Sequence, residues 1–426
     1  MSEAQAQLVQ IEKPIYGGAF LARIDGKATF VPLTLPGEQA RVRILDDKRG
    51  YATAEAEEIL TPSSDRVAPG CAHFGTCGGC HYQHATYEAQ LRFKQAILRE
   101  TLERAGVSVP QEIEILSGDP WAYRTRIRLA FDAAGNLGYR GRRSHAVVPI
   151  GECPIAAPVL VQAALAFHDV LHTTEPNLRP TELSLFCNAD ESGLLASVFV
   201  ARAGKVRFDE LAHAWREKVP VLVGAELVVE GNKGQRPNTL ARWGATSLAY
   251  RATGFEFRVN HGSFFQVNRW LIDALVEWVA MGHAGKLAWD LYAGVGLFAR
   301  KLAGSFECVL AVESSPASTR ALRANLLSSA AEGATADTLA FLRQQKGNRP
   351  DLVVVDPPRT GLGAETNAQL LRIAAPAMIY VSCDPATLGR DLRTLTGSGY
   401  VIHRIALADL FPQTFHLETL VELRRA

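Results

Sequence analysis

The chain has no apolar run long enough to cross a bilayer, and its longest hydrophobic runs are the length of a strand. Its first residues, Met1-Ser-Glu-Ala-Gln-Ala-Gln, hold neither a basic segment nor a continuous apolar one, so no secretory signal is expected. A cytoplasmic location, with no membrane partner, is the expectation that follows. Internal repeats and low-complexity segments are missing too, which leaves aside solenoids and disordered arrays. The chain has no marked charge imbalance: 45 Lys and Arg stand against 44 Asp and Glu, a net charge of +1. Such a sum can still hide a basic face. Cysteines number seven, an odd count. In a reducing compartment their clustering points to metal or catalysis rather than to disulfides.

At 426 residues and 47% hydrophobic content, two or three globular domains are expected. Residues 1–62 read as a small OB-like β-barrel, a common nucleic-acid module. Phe20-Leu-Ala-Arg-Ile24 and Ala28-Thr-Phe-Val31 flank the hairpin dipeptide Asp25-Gly26, and Ala40, Val42 and Ile44 alternate with Arg41 and Arg43. Residues 63–254 are mixed α and β. A helix is predicted from about Tyr87 to Ala105, with Leu91, Ala96, Ile97, Leu98 and Leu102 as its apolar stripe. In Tyr123-Arg-Thr-Arg-Ile-Arg-Leu-Ala-Phe131 the arginines 124, 126 and 128 share one strand face, with Ile127, Leu129 and Phe131 on the other. From Trp121 to His145 there are six arginines and one acid, either a footprint for a phosphate backbone or a solvated face. Residues 255–426 alternate strand and helix patterns, the mark of a parallel sheet with crossover helices. There Asn268 is expected to cap a helix carrying Leu271, Leu275, Trp278 and Val279. The whole is read as a multidomain α/β protein.

Three strand ends in the last part carry the chemistry. Lys286-Leu-Ala-Trp-Asp290 opens into Leu291-Tyr-Ala-Gly-Val-Gly-Leu297, and Glu313 ends the next strand nineteen residues after Gly294. A glycine turn lets the backbone approach a ligand, and an acid at that offset can accept from ribose hydroxyls. With one Gly-x-Gly pair and no third glycine, S-adenosylmethionine suits this turn better than a dinucleotide. A purely structural turn is the alternative. Leu352-Val-Val-Val355 ends in Asp356-Pro-Pro-Arg-Thr-Gly-Leu362, where Asp356 is a ligand or catalytic acid or else a helix cap. Ile379-Tyr-Val-Ser-Cys383 delivers a thiol to a strand end just before a helix start, which would favour the thiolate. Cys187 and Cys308 lie in apolar strand patterns and read as core. Elsewhere, Cys71-x5-Cys77-Gly-Gly-Cys80 gathers three thiols, and Cys153 is the best distant fourth. Four thiolates suit a [4Fe–4S] cluster of structural type, with zinc as the other metal to weigh.

These motifs, in this order and over nearly the whole length, resemble the RNA uridine-C5 methyltransferase family (the RumA/TrmA type). They include Phe-Phe-Gln-Val-Asn268, Ser-Cys-Asp-Pro-Ala-Thr-Leu-Gly-Arg-Asp-Leu392 and the closing Phe411-Pro-Gln-Thr-Phe-His-Leu-Glu-Thr419. The resemblance implies a TRAM-type barrel, a small iron–sulfur domain and a Rossmann-like S-adenosylmethionine-dependent methyltransferase domain. It also implies that the helix near 87–105 packs on the catalytic domain. It makes Cys383 the nucleophile and Glu418 the base, and puts the methyl donor at Gln266, Tyr292, Glu313, Asp356 and Asp337. RNA is the implied partner, with no obligate protein partner. A barrel plus a cluster suggests 23S rRNA over tRNA. Phe264, Phe265 and Tyr123 become possible stacking partners for bases. The chain departs from the usual pattern at Ala293 and Asp384, where cysteine and asparagine are frequent. A cytosine-C5 enzyme would place a cysteine beside the proline of Asp356-Pro-Pro, and none stands there. An RNA-binding factor with an inactive cleft is the non-enzymatic alternative.

Overall fold

A computed structural model describes residues 6–202, 204, 206–231 and 237–426. The chain begins with a six-stranded sheet in the order Gln7–Gln10, Gln39–Asp47, Ala52–Thr61, Lys27–Pro32, Ala19–Ile24, Lys13–Pro14. Asp25 and Gly26 both take positive φ (50° and 78°), as a two-residue hairpin turn requires. Ala40 and Val42 point into a core with Val9, Phe20, Val31 and Leu35, while Arg41 and Arg43 bond to Glu58 and Glu57 on the outside. Tyr82 and Phe93 close this core from beneath, so the thiol-bearing loop and the first helix are already joined to the barrel.

The first helix spans Tyr87–Arg104, capped by Thr86. Its buried face differs from the apolar stripe expected of it. Ile97, Leu98 and Leu102 are buried, but Ala96 is exposed and Leu91 only half-buried, while Gln90, Phe93 and Lys94 take the inner positions. The reason is that its inner face meets a polar loop as well as a core. Its carboxyl half packs into the same core as Tyr380, Leu388 and Leu392 of the last domain. The following strand Glu114–Leu116 also joins that domain's sheet.

Residues 126–244 form a seven-stranded sheet, from Val147–Pro149 at one edge to Asn238–Gly244 at the other. The helices Pro158–Thr174 and Phe208–Lys218 supply one half of its core, through Leu160, Phe167, Leu211 and Trp215. Arg126–Phe131 is an inner strand there, with Ile127 and Leu129 buried and Arg128 exposed, as the alternation predicts.

The last domain is an eight-stranded sheet in the order 331–335, 306–313, 285–291, 352–355, 377–382, 418–425, 400–408, 114–116. The first five strands run parallel, and Leu352–Val355 is buried at every residue, as a parallel strand covered on both faces must be. The order reverses between 285–291 and 352–355, so the ligand crevice is expected at the carboxyl ends of those two strands. Glu418–Arg425 runs antiparallel to its neighbour, pairing Thr419 with Ser382. Its first residue therefore lies at the same sheet edge as the last residues of Ala377–Ser382. Among the described residues no helix is long and apolar enough to cross a membrane.

Candidate active site

The glycine turn lies at the reversal point. Tyr292, Gly294 and Gly296 have φ of 66°, 56° and 91°. A Cβ on Gly296 would stand 2.7 Å from Leu322, so only glycine lets the helix Pro316–Leu326 close on the sheet. A Cβ on Gly294 would meet nothing within 4 Å, which leaves room for a ligand beside the turn. Glu313 braces this turn: its carboxylate accepts from the amides of Gly294 (3.0 Å) and Ser315 (2.6 Å). Asp337 caps the helix Thr338–Gln344 by accepting from Ala340 (3.0 Å), and its charge is felt by the Tyr292 phenol. Gln266 is buried, on a segment stitched to the arginine strand by Thr125 N–H donating to the Val267 carbonyl (2.9 Å).

Cys383, Asp356 and Glu418 meet at the next strand ends. Cys383 registers the charges of Glu418 and Asp356, Glu418 registers that of Asp356, and Arg359 is the cation that offsets both Cys383 and Glu418. Burial pushes Asp356 up to about 7. Burial, and then Asp356, hold Glu418 well above the usual carboxylate range, with Arg359 opposing. Burial first, followed by Glu418 and Asp356, pushes the Cys383 thiol up to about 11. This corrects the expectation that a helix start would favour the thiolate. Asp384 occupies that helix end itself, accepting from Ala386 (3.1 Å) and Thr387 (2.9 Å), so the dipole is spent one residue beyond the sulfur. Asp290, buried near the end of its own strand, is pushed up to about 8 by burial.

Several of these participants were not singled out from the sequence. Arg359 belongs to the Asp-Pro-Pro-Arg motif, and its cationic type beside an acid was the available signal. Tyr16 comes from the barrel, 300 residues away in sequence or more. It packs edge-on against Phe415 (5.4 Å), and burial, with Asp384 and Cys383 nearby, pushes its phenol up to about 12. His416 lies tilted against Phe415 (4.3 Å) and is lowered to about 4 by burial, hence neutral. His416 lies in the closing Phe411–Thr419 motif, whereas no local pattern in the chain announces Tyr16.

Two roles weighed for aromatics need correction. Tyr123 is fully buried and donates to the Pro412 carbonyl (3.0 Å), and Phe265 is buried against Tyr250 (4.6 Å), so neither presents a face to a base. Phe264 is 60% exposed and does. Asn268 is not the cap of the helix Ile272–Ala280, whose cap position is Leu271. Buried Asn268 instead donates to the carbonyl of Leu410 (3.2 Å), tying its segment to the loop that leads to Glu418.

Cys71, Cys77, Cys80 and Cys153 all line one cavity of about 420 Å³, shared with Arg124, Arg126 and Tyr139. Gly79 N–H donates to Cys77 Sγ (3.4 Å) and the Tyr139 hydroxyl to Cys153 Sγ (3.6 Å). Among the described residues no three His, Cys, Asp or Glu side chains are grouped to hold a single metal ion. The thiols surround a volume rather than meet at a point. Cys187 is buried, whereas Cys308, read as core, is half-buried.

Residues 233–426 match the family model described as tRNA (Uracil-5-)-methyltransferase, and residues 3–56 match that of the TRAM domain. A 23S rRNA (uracil(1939)-C(5))-methyltransferase of Halomonas elongata is 32% identical, covering 99% of this chain and 90% of the relative. The enzyme of the same name from Chromohalobacter salexigens is 34% identical over 99% and 90%. An uncharacterized RNA methyltransferase of Streptomyces avermitilis is 34% identical over 98% of both chains. The solved structure of a Pyrococcus abyssi tRNA (uracil-54, C5)-methyltransferase with S-adenosyl-L-homocysteine has the same fold. Its TM-score is 0.78 at 23% identity, over 98% of this chain and 100% of that one.

Proposed function

The chain belongs to the RNA uracil-C5 methyltransferase family, and from that premise we propose that it methylates carbon 5 of a uridine in 23S rRNA, with S-adenosylmethionine as donor. The observation that carries the reading is the meeting of Cys383 and Glu418 across antiparallel strands, at the sheet edge that also holds the glycine turn. Two full-length relatives named as 23S rRNA enzymes support the ribosomal substrate over tRNA.

Carbon 5 of uracil is too weak a nucleophile to take a methyl group unaided. The Cys383 thiolate, formed by loss of the thiol proton to solvent, adds to carbon 6, and the electron pair of the C5–C6 double bond shifts toward carbon 5 and makes that carbon nucleophilic. The bound donor supplies an electrophilic sulfonium methyl in line with it. Glu418 then removes the hydrogen of carbon 5 as a proton, the C5–C6 double bond re-forms, and the C6–S bond breaks to return the thiolate. Burial and Asp356 raise Glu418 above the usual carboxylate range, and in its ionised form a carboxylate so raised is the stronger base. Gln266, Tyr292, Glu313, Asp337 and Asp356 are the residues that would hold the donor, and the open space beside Gly294 supports a ligand there. Asp337, already engaged as a helix cap, keeps one oxygen for this. A uridine stacked in RNA hides carbon 6, so the target is flipped out, and exposed Phe264 offers a face for stacking.

The four-thiol cavity accommodates a [4Fe–4S] cluster held by Cys71, Cys77, Cys80 and Cys153. The cavity of about 420 Å³ that all four thiols line supports this reading, since four thiolates are the ligand set such a cluster takes. The cluster would fix the loop between barrel and central sheet and take no part in the methyl transfer.

The test is tritium release from carbon 5 of uridine in 23S rRNA and, separately, tRNA transcripts. Release from rRNA alone is expected. Release from tRNA alone overturns the choice of substrate, and release from neither, with donor bound, favours an RNA-binding role.

A further inference from the structure

We infer that Gln90, on the first helix, is a positioning residue for the base: its side-chain amide holds the loop that delivers Glu418 to the nucleophile. The inference rests on the reading of Glu418 as that base.

Residues 409–417 link the strands Tyr400–Ala408 and Glu418–Arg425. The loop has few bonds of its own and is held from outside. Tyr123 donates to the Pro412 carbonyl and Asn268 to that of Leu410 (3.0 and 3.2 Å). Lys94 Nζ reaches Asp409 (2.5 Å) and the Phe411 carbonyl (2.9 Å). Gln90 lies one turn before Lys94 on the same helix face. It makes a two-way clasp with Gln413: its Oε1 accepts from the Gln413 amide (2.9 Å), and its Nε2 donates to Gln413 Oε1 (2.9 Å). Nε2 also donates to the Ala85 carbonyl (3.0 Å), which fixes its orientation.

Gln413 is where the loop is under most constraint. Its φ is 66°, a left-handed conformation that costs a non-glycine residue of order 1 kcal/mol and persists only when its surroundings hold it. Its carbonyl accepts from the amides of His81 (2.8 Å) and Tyr82 (3.0 Å), the two residues after Cys80. The clasp therefore acts on a strained residue five positions before Glu418. From Glu418 onward the strand pairing with Ala408 and Ser382 sets the register, so what remains free is the entry of the chain into the strand. The amide of Gln90 offers a donor and an acceptor at once to the one side-chain carbonyl and one backbone N–H present. Gln90 is 1% exposed and touches no reacting atom.

The readout that separates positioning from mere structure is the covalent adduct. The methylated adduct needs Cys383 and the donor. Its resolution needs Glu418 to take the C5 proton, so that the electron pair re-forms the double bond and expels the sulfur. Full-length Gln90→Met, Gln413→Gly and Glu418→Gln would be mixed with donor and a 23S rRNA transcript. Tritium release and SDS-resistant protein–RNA adduct would then be followed together. Gln413→Gly tolerates the same φ while removing the side-chain half of the clasp, so it guards against a folding defect in Gln90→Met. Both are expected to lower turnover about 10–100-fold, the loss typical of a small misplacement. Both should accumulate adduct as Glu418→Gln does, with an unchanged KM for RNA. Slower turnover with no accumulated adduct in both variants makes Gln90 merely structural and overturns the inference. Wild-type resolution in Glu418→Gln overturns the reading of the base, and this inference with it.

Discussion

Replacing Glu418 with glutamine is expected to make Cys383 more acidic. In the native site burial and two carboxyl groups raise the thiol from its ordinary 9.0 to about 11. A thiol at 9.0 is ionised in about one molecule in ten at pH 8, and one at 11 in about one in a thousand. Burial is the largest cause and survives the substitution, so the midpoint should fall from about 11 without reaching 9.0. The gain in thiolate at pH 8 is therefore bounded at about 100-fold, with about tenfold expected for one neighbouring charge. Asp356→Asn acts in the same direction, and Arg359→Gln in the opposite one, because Arg359 is the offsetting cation. The assay is the pH profile of iodoacetamide alkylation, read at the Cys383 peptide by mass spectrometry. S-adenosylmethionine, whose sulfonium is cationic, should lower the wild-type midpoint, and neutral S-adenosylhomocysteine should leave it nearly unchanged. A Glu418→Gln midpoint at or above the wild-type value would refute the coupling and the shared site with it.

Lys94 and Asp409 form an ion pair with both side chains fully buried. Lys94→Met should cost about 3–5 kcal/mol in denaturant unfolding by stranding the carboxylate, and adding Asp409→Asn should recover part of that. Burial alone would raise Glu38, but Arg66 and the amides of Ser63 and Leu35 outweigh it and hold the carboxyl below its ordinary 4.5. A depressed carboxyl stabilises the fold above its unfolded pKa and loses that contribution as pH falls through the folded one. Glu38→Gln should therefore destabilise the protein most above about pH 5, with the gap closing in more acid solution. Cys77→Ser should lower bound iron and the visible absorbance of the anaerobically purified protein, while donor binding measured by calorimetry stays within about twofold.

Much of the fold is legible locally because periodicity records which face meets a core. The Asp25-Gly26 hairpin reflects the positive φ its turn needs, while the alternation of Ile127 and Leu129 with Arg128 and the all-apolar Leu352–Val355 reflect one face or two faces buried. The first helix shows the limit. Its stripe marked Ile97, Leu98 and Leu102 correctly, yet Gln90 and Lys94 are buried where a pattern of apolar residues cannot point to them. Their partners, Gln413 and Asp409, lie more than 300 residues along the chain. Tyr123 and Phe265 failed as stacking faces for the same reason, since aromatic type alone does not say whether a ring faces solvent or a core.

By itself the sequence determined the chemistry available. It set a thiol at one strand end, acids at others, a glycine turn, and three more cysteines within ten residues with a distant fourth. Those assignments are local, written in residue type and short spacing. Tertiary structure alone decided what the groups do to one another. An antiparallel strand carries Glu418 back to Cys383, and burial together with Asp356 moves both groups away from their ordinary pKa values. Burial and charge separation depend on which surfaces exclude water, and that is a property of the packed chain rather than of any segment of it.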